Sequence, residues 1–82
     1  MKPNLEKMLN EFIERDFSLG EMLDVLYTLH SVEEYRYMRE VYRNHGMIDD
    51  VSRMNNEEDG ARYMAYKTLR QYDLEYEIDE LL

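Results

Sequence analysis

The chain has 82 residues, enough for a single domain. It is 44% hydrophobic and 35% charged and carries eight Tyr and seven Met, which argues against compositional disorder; the absence of Cys excludes disulfides, thiolate catalysis and Cys-based zinc sites. The net charge is −9, with −3 falling on residues 1–46 and −6 on residues 47–82. A chain this acidic repels nucleic acid unless its bases gather on one face, and it suits a basic protein partner or simply keeps itself in solution. No apolar run at the start resembles a signal peptide and none approaches a membrane span, so the expected location is the cytoplasm and no membrane partner is expected.

The apolar spacing is helical almost throughout, which makes the expected fold all-α, a single domain over 1–82 built as a compact bundle of four to five short helices. Leu5, Met8, Leu9, Phe12 and Ile13 mark helix 1 over about residues 4–16, with Asn4 as N-cap and Pro3 outside the helix. Ser18 and Glu21 have capping-box spacing and open helix 2, which runs to about His30. Its broad stripe of Leu19, Met22, Leu23, Leu26 and Leu29, with Val25 at the edge, predicts the central helix. Ser31 and Glu34 repeat the capping-box spacing and predict a third helix to Asn44, ended by Gly46 in a left-handed conformation.

Met47, Ile48, Val51 and Met54 fit one or two helical turns, after which Asn55 and Asn56 read as a break and a cap. Glu57, Glu58 and Asp59 then suit the positive end of helix 4, expected to run to Tyr72 with Ala61, Met64, Ala65, Thr68, Leu69 and Tyr72 facing inward. The last ten residues admit two periods. Alternation fits a strand, but no second strand exists to pair with it, so a short helix from Asp73 with Leu74, Ile78, Leu81 and Leu82 on its buried side is the expectation.

No constellation carries chemistry. Asn55, Glu57, Asp59 and Gly60 match the first part of a calcium-loop template, but Arg62 and Tyr66 stand where it needs an apolar residue and a Glu. His30 and His45 lie near predicted helix C-termini, where an imidazolium is favourable, and their acidic neighbours fall across predicted boundaries. Ser18 and Ser31 have capping roles, and Ser52 has no base beside it. Adjacent carboxylates such as Glu33 and Glu34 diverge by about 100° on a helix and cannot converge on one atom. There is no Gly-rich phosphate loop, so no catalytic residue, metal or cofactor is expected.

What remains is surface. Arg36, Arg39 and Arg43 share one stripe of the third predicted helix, and a turn at His30–Ser31 would arrange the second and third as a helix-turn-helix. Tyr63 and Tyr66, with Arg62, Lys67 and Arg70, lie opposite the small-residue face of helix 4, and Tyr and Arg are enriched in binding hot spots. Asp73, Glu75, Glu77, Asp79 and Glu80 form an acidic end that can imitate a row of phosphates.

Three readings follow. The first is a non-enzymatic interaction protein that binds and inhibits a basic, for example nucleic-acid-binding, partner. It would use Glu57, Glu58, Asp59 and the acidic end, together with Tyr63, Tyr66 and Arg70, with DNA mimicry as one mode. The second is a small helix-turn-helix regulator that binds DNA through Arg36, Arg39 and Arg43. The third is a homodimeric assembly module. In composition alone, a short acidic Cys-free helical chain resembles the small accessory proteins of phages and mobile elements, and that likeness implies binding and disabling of a host protein.

Overall fold

The computed structural model describes the whole chain, Met1 to Leu82. It is all-α: α1 (Pro3–Glu14), α2 (Leu19–Asn44), α3 (Ile48–Gln71) and α4 (Ile78–Leu81). Two long helices replace the four short ones expected over 18–72. α2 and α3 form an antiparallel hairpin, and α1 and the C-terminal segment cover one side of its lower part.

Neither expected break forms, which removes the helix-turn-helix. Ser31 does not cap a new helix; its Oγ donates back to the Tyr27 carbonyl at 3.1 Å. Val25, Leu29 and Val32, at i, i+4 and i+7, are all buried, so one core stripe runs straight through the expected turn. Breaking the helix there would orphan four N–H and four C=O groups. The same holds at Asn55–Asn56, where Met54 and Glu58 lie one turn apart on the buried side. Asp49 and Asp50, and not the 57–59 cluster, occupy the first turn of α3. Pro3 also differs from expectation. It is the first helical residue of α1, where its missing N–H costs nothing and its fixed φ is already helical.

The expected start of α2 is present. Ser18 Oγ accepts the Glu21 N–H at 3.2 Å and Glu21 Oε1 accepts the Ser18 N–H at 2.8 Å. Three helices end in one pattern, with Asp16 (φ 54°), Gly46 (φ 68°) and Asp73 (φ 53°) in the left-handed region. At each end two backbone bonds close a Schellman motif, as in Phe17 N–H to Phe12 O at 2.9 Å and Leu74 N–H to Leu69 O at 2.8 Å. The first is reinforced by the Phe12 and Phe17 rings, stacked with centroids 5.0 Å apart.

The core gathers Met8 and Phe12 from α1, Val25, Leu29 and Val32 from α2, Ala65 and Leu69 from α3, and Leu74, Ile78 and Leu81 from the end of the chain. The C-terminal segment therefore buries Leu74, Ile78 and Leu81 as expected, with Leu82 only partly buried against them. It does so with non-helical chain over residues 74–77 followed by the single turn of α4, because left-handed Asp73 cannot start a helix and α4 begins only at Ile78. On α2 the expected stripe is rotated: Val25 is central to the core, while Leu19 is 68% and Leu23 54% exposed. On α3, Met64 is likewise 51% exposed. No helix is long and apolar enough to cross a membrane.

Candidate interaction surface

Two sides of the hairpin carry the residues singled out above. On the covered side, charge serves the fold. Glu58, only 6% exposed, accepts hydrogen bonds from Arg39 Nη1 and from Arg62 Nε, the latter at 2.7 Å. Arg62 Nη2 reaches on to Asp79 Oδ1 at 2.7 Å, and Arg36 Nη1 lies 3.7 Å from the same oxygen. This ladder ties α2, α3 and α4 together. The hydrogen bond from Arg62 holds the Asp79 carboxyl below its ordinary range, and Asp79 and then Glu58 push the Arg62 guanidinium up.

A second set of bonds pins the rest of the C-terminal segment. Arg15 donates to the Tyr72 carbonyl at 2.7 Å, and the Tyr76 hydroxyl donates to Glu11 at 2.7 Å. Tyr66 OH donates to Glu77 at 2.9 Å and accepts the Ile78 N–H at 3.3 Å. Burial, then the Glu11 carboxylate, raises the Tyr76 phenol to about 12. The Tyr76 bond, with help from Arg15, lowers Glu11.

The sequence-predicted site residues are thus divided. Arg36, Arg39 and Arg43 do not form a free cationic stripe: Arg36 faces Asp79, Arg39 binds Glu58, and Arg43 binds Glu40 at 2.5 Å. Every arginine except Arg70 stands in an ion pair, because most acids lie within one turn or one helix of a base. Of the acidic set, Glu58, Glu77, Asp79 and Glu80 are engaged inside the chain, and Glu58 is out of a partner's reach. Glu57, Asp59, Asp73 and Glu75 remain exposed. Tyr66, expected outward, is half-buried under the C-terminal segment, whereas Tyr63 and Arg70 point to solvent. No three of the chain's His, Asp and Glu side chains are gathered so that they could hold a metal ion.

The opposite side of the hairpin is open, since α1 and the C-terminal segment both pack on the other one. There α2 and α3 part into a groove of about 420 Å³ lined by Tyr27, Ser31, Tyr35, Gly60, Ala61 and Met64, with Glu57 on its α3 wall. Tyr27 is 72% exposed, and Leu23 stands one turn below it on the same face. The groove exists because the two walls meet through small side chains at Ser31, Gly60 and Ala61 while Tyr27, Tyr35 and Met64 stand beside them. Sequence reasoning missed this surface by assigning Leu23 and Met64 to the core. The available signal was width: from Val25 round to Tyr27 the apolar residues of α2 span an arc of roughly 200°, about twice what one buried face needs.

Gly60 is a second signal. It sits in the interior of α3 with helical backbone, and a Cβ added there would meet nothing within 4 Å. Glycine in a helix interior costs about 1 kcal/mol relative to Ala, and no contact within the chain requires it here. No protein-family model matches the chain, and no curated protein and no solved structure is significantly similar to it.

Proposed function

We propose that the protein is a non-enzymatic protein-interaction module whose working surface is the open groove side of the α2–α3 hairpin. The observation that carries this reading is the row of large apolar side chains left in solvent there. Tyr27 and Met64 line a groove floored by small residues and Leu23 stands one turn along from Tyr27, whereas other exposed apolar side chains, such as Ile13, Tyr37 and Ile48, lie outside it. Knob-bearing walls around a narrow floor suit an apolar partner surface, such as a helix. The surplus of acids gives the module a negative exterior, which favours a partner with a basic rim and speeds its approach.

Exposed acids support a second mode on the same molecule. Glu14, Asp16, Asp73 and Glu75 lie near the junction of α1 with the C-terminal segment, without hydrogen-bonded side-chain partners of their own. DNA binding through Arg36, Arg39 and Arg43 loses support, because their guanidinium groups already serve internal acids.

The test is affinity capture from the native host with three baits. Wild type and a variant with Asp73 and Glu75 neutralised are expected to retain the same partner, and Tyr27→Asp is expected to lose it while keeping its helical circular dichroism. Capture unaffected by Tyr27→Asp and lost with the acidic variant would move the binding surface to the acidic end and defeat the groove reading.

A further inference from the structure

We infer that the groove side accepts a second copy of this chain, packed with α3 antiparallel to α3 about a two-fold axis level with Arg62. The inference rests on the reading that this side is an interaction surface and names its occupant. It starts from spacing. Arg53, Glu57, Gly60, Met64, Lys67 and Gln71 follow one another at intervals of four and three residues, a seam along the open face of α3. Glu57, Gly60 and Met64 of this seam line the groove.

The seam is complementary to itself when reversed. Around the level of Arg62, Met64 comes opposite the partner's Gly60, and the same pairing recurs symmetrically on the other side of the axis. A long side chain thus meets the one position of α3 with no side chain at all, which lets the two backbones approach closely. Glu57 comes opposite the partner's Lys67, again twice. Both are exposed, and neither has an ion-pair or hydrogen-bond partner within the chain. Arg53 comes opposite the partner's Gln71, with no like-charge conflict. A sequence that matches size and charge at each step of its own reversal is what an isologous interface requires.

Gly60 is the independent observation. Nothing inside the chain needs a glycine there, and the helix is weaker for having one. Close approach of a second backbone supplies the missing reason. Net charge does not forbid the pairing: the chain carries −9, but the charged residues of the seam are two bases and one acid. The area is also sufficient. With the axis at Arg62, residues 53–71 of α3 lie opposite their symmetry mates, a face about 28 Å long. At two helices, roughly 20 Å, wide it offers on the order of 600 Å² per copy, the lower end of what a stable interface uses. The axis lies near the middle of α3, so the two hairpins overlap along most of their length and α2 stacks antiparallel on α2. Leu23 then comes near the partner's Met38, which takes an exposed leucine out of water.

The test is sedimentation equilibrium on the full chain and its charge-reversed variants. Wild type is expected to approach twice 10.1 kDa with rising concentration. E57K and K67E each set like charges opposite one another at both symmetric contacts, so each alone is expected to dimerise about tenfold more weakly. An equimolar mixture of the two restores opposite charges at both contacts and is expected to recover wild-type affinity. Gly60→Gln fills the gap in open space, so it is expected to keep the fold and abolish the dimer. Wild type that stays monomeric at millimolar concentration overturns the inference. A dimer indifferent to both charge variants and to Gly60→Gln overturns it as well, because the contact then lies elsewhere. The interaction-module reading fails separately. A monomeric chain whose partner capture is lost with Tyr27→Asp keeps that reading and rejects only the second copy.

Discussion

Replacing Glu58 by Gln probes the ladder that fastens the C-terminal segment to the hairpin. The carboxylate accepts from Arg39 and Arg62 at once, at a position 6% exposed. Removing one member of a buried ion pair costs about 3–5 kcal/mol. Here the two arginine side chains keep 21% and 24% of their exposure, Arg62 retains Asp79, and Gln keeps one carbonyl acceptor. These reduce the expected loss to about 2–3 kcal/mol. A chain of this size is stable by roughly 4–12 kcal/mol, so the loss is large but survivable. In urea, with a slope of about 1 kcal/mol/M, the midpoint should fall by about 2–3 M. The measurement needs one fixed protein concentration, since any self-association stabilises by mass action. Adding Arg39→Met to Glu58→Gln should recover part of the loss, because it removes a buried cation left without its counter-ion. A midpoint unchanged within about 0.5 M would refute the assignment of Glu58 as the centre of the ladder.

Other perturbations follow from the same bonds. Asp73→Gly should raise stability by about 1 kcal/mol by thermal or urea melting, since Asp73 holds a left-handed φ that glycine adopts without strain. Ile78→Ala should cost about 2–4 kcal/mol and free the C-terminal segment to limited proteolysis while leaving the α2–α3 hairpin helical, because Ile78 is fully buried between that segment and the core. The carboxyls of Glu11 and Asp79 are lowered from ordinary values of 4.5 and 3.8. In the acid range the unfolded chain therefore binds more protons than the folded one. Their contribution is present above the ordinary values and is lost as pH falls through the lowered folded ones, a loss that should shrink in Glu11→Gln melts. Tyr76 runs the other way: its pKa is raised from 10.0 to about 12, so its contribution is complete below pH 10.0 and fades as pH climbs toward about 12. Ultraviolet titration of the phenols should lose its latest step in Tyr76→Phe, while the raised phenols of Tyr66 and Tyr72 remain.

Most of the fold is legible in the sequence, and the places where it is not share a cause. Helical periodicity, the Ser18 capping box and the Gly46 terminator are local signals, and the structure contains all of them. Ser31 with Glu34, and Asn55 with Asn56, show the limit of such signals. A residue type able to cap a helix also sits comfortably inside one when a buried stripe passes through it, as Leu29 and Val32 do past Ser31. The face of α2 that turns inward could not be settled by α2 alone. It depends on the side from which α1 and the C-terminal segment arrive, and that is a long-range fact. Once Val25 and Val32 are inward, Leu23 and Tyr27 must be outward, and the candidate surface follows. Charge misled for a related reason. Acids and arginines that look like display groups in sequence meet across α2, α3 and α4, so that Glu58, Arg39 and Arg62 hold the fold together. Gly60 was visible from the start as part of a failed calcium loop; its meaning depended on the empty space around its Cα.

The methionines allow the most direct test of the central claim in its sharpest form, that the open side of the hairpin is where this protein binds a second copy of itself. Met64 lines the groove, Met8 and Met54 are buried, and Met47 is exposed at the far end of the hairpin. Methyl-resolved nuclear magnetic resonance, recorded as protein concentration is raised, reads each of them separately. The account predicts that the Met64 methyl shifts and broadens while those of Met8, Met54 and Met47 stay in place. Movement of Met47 with Met64 unchanged would place the contact at the hairpin tip and contradict the account.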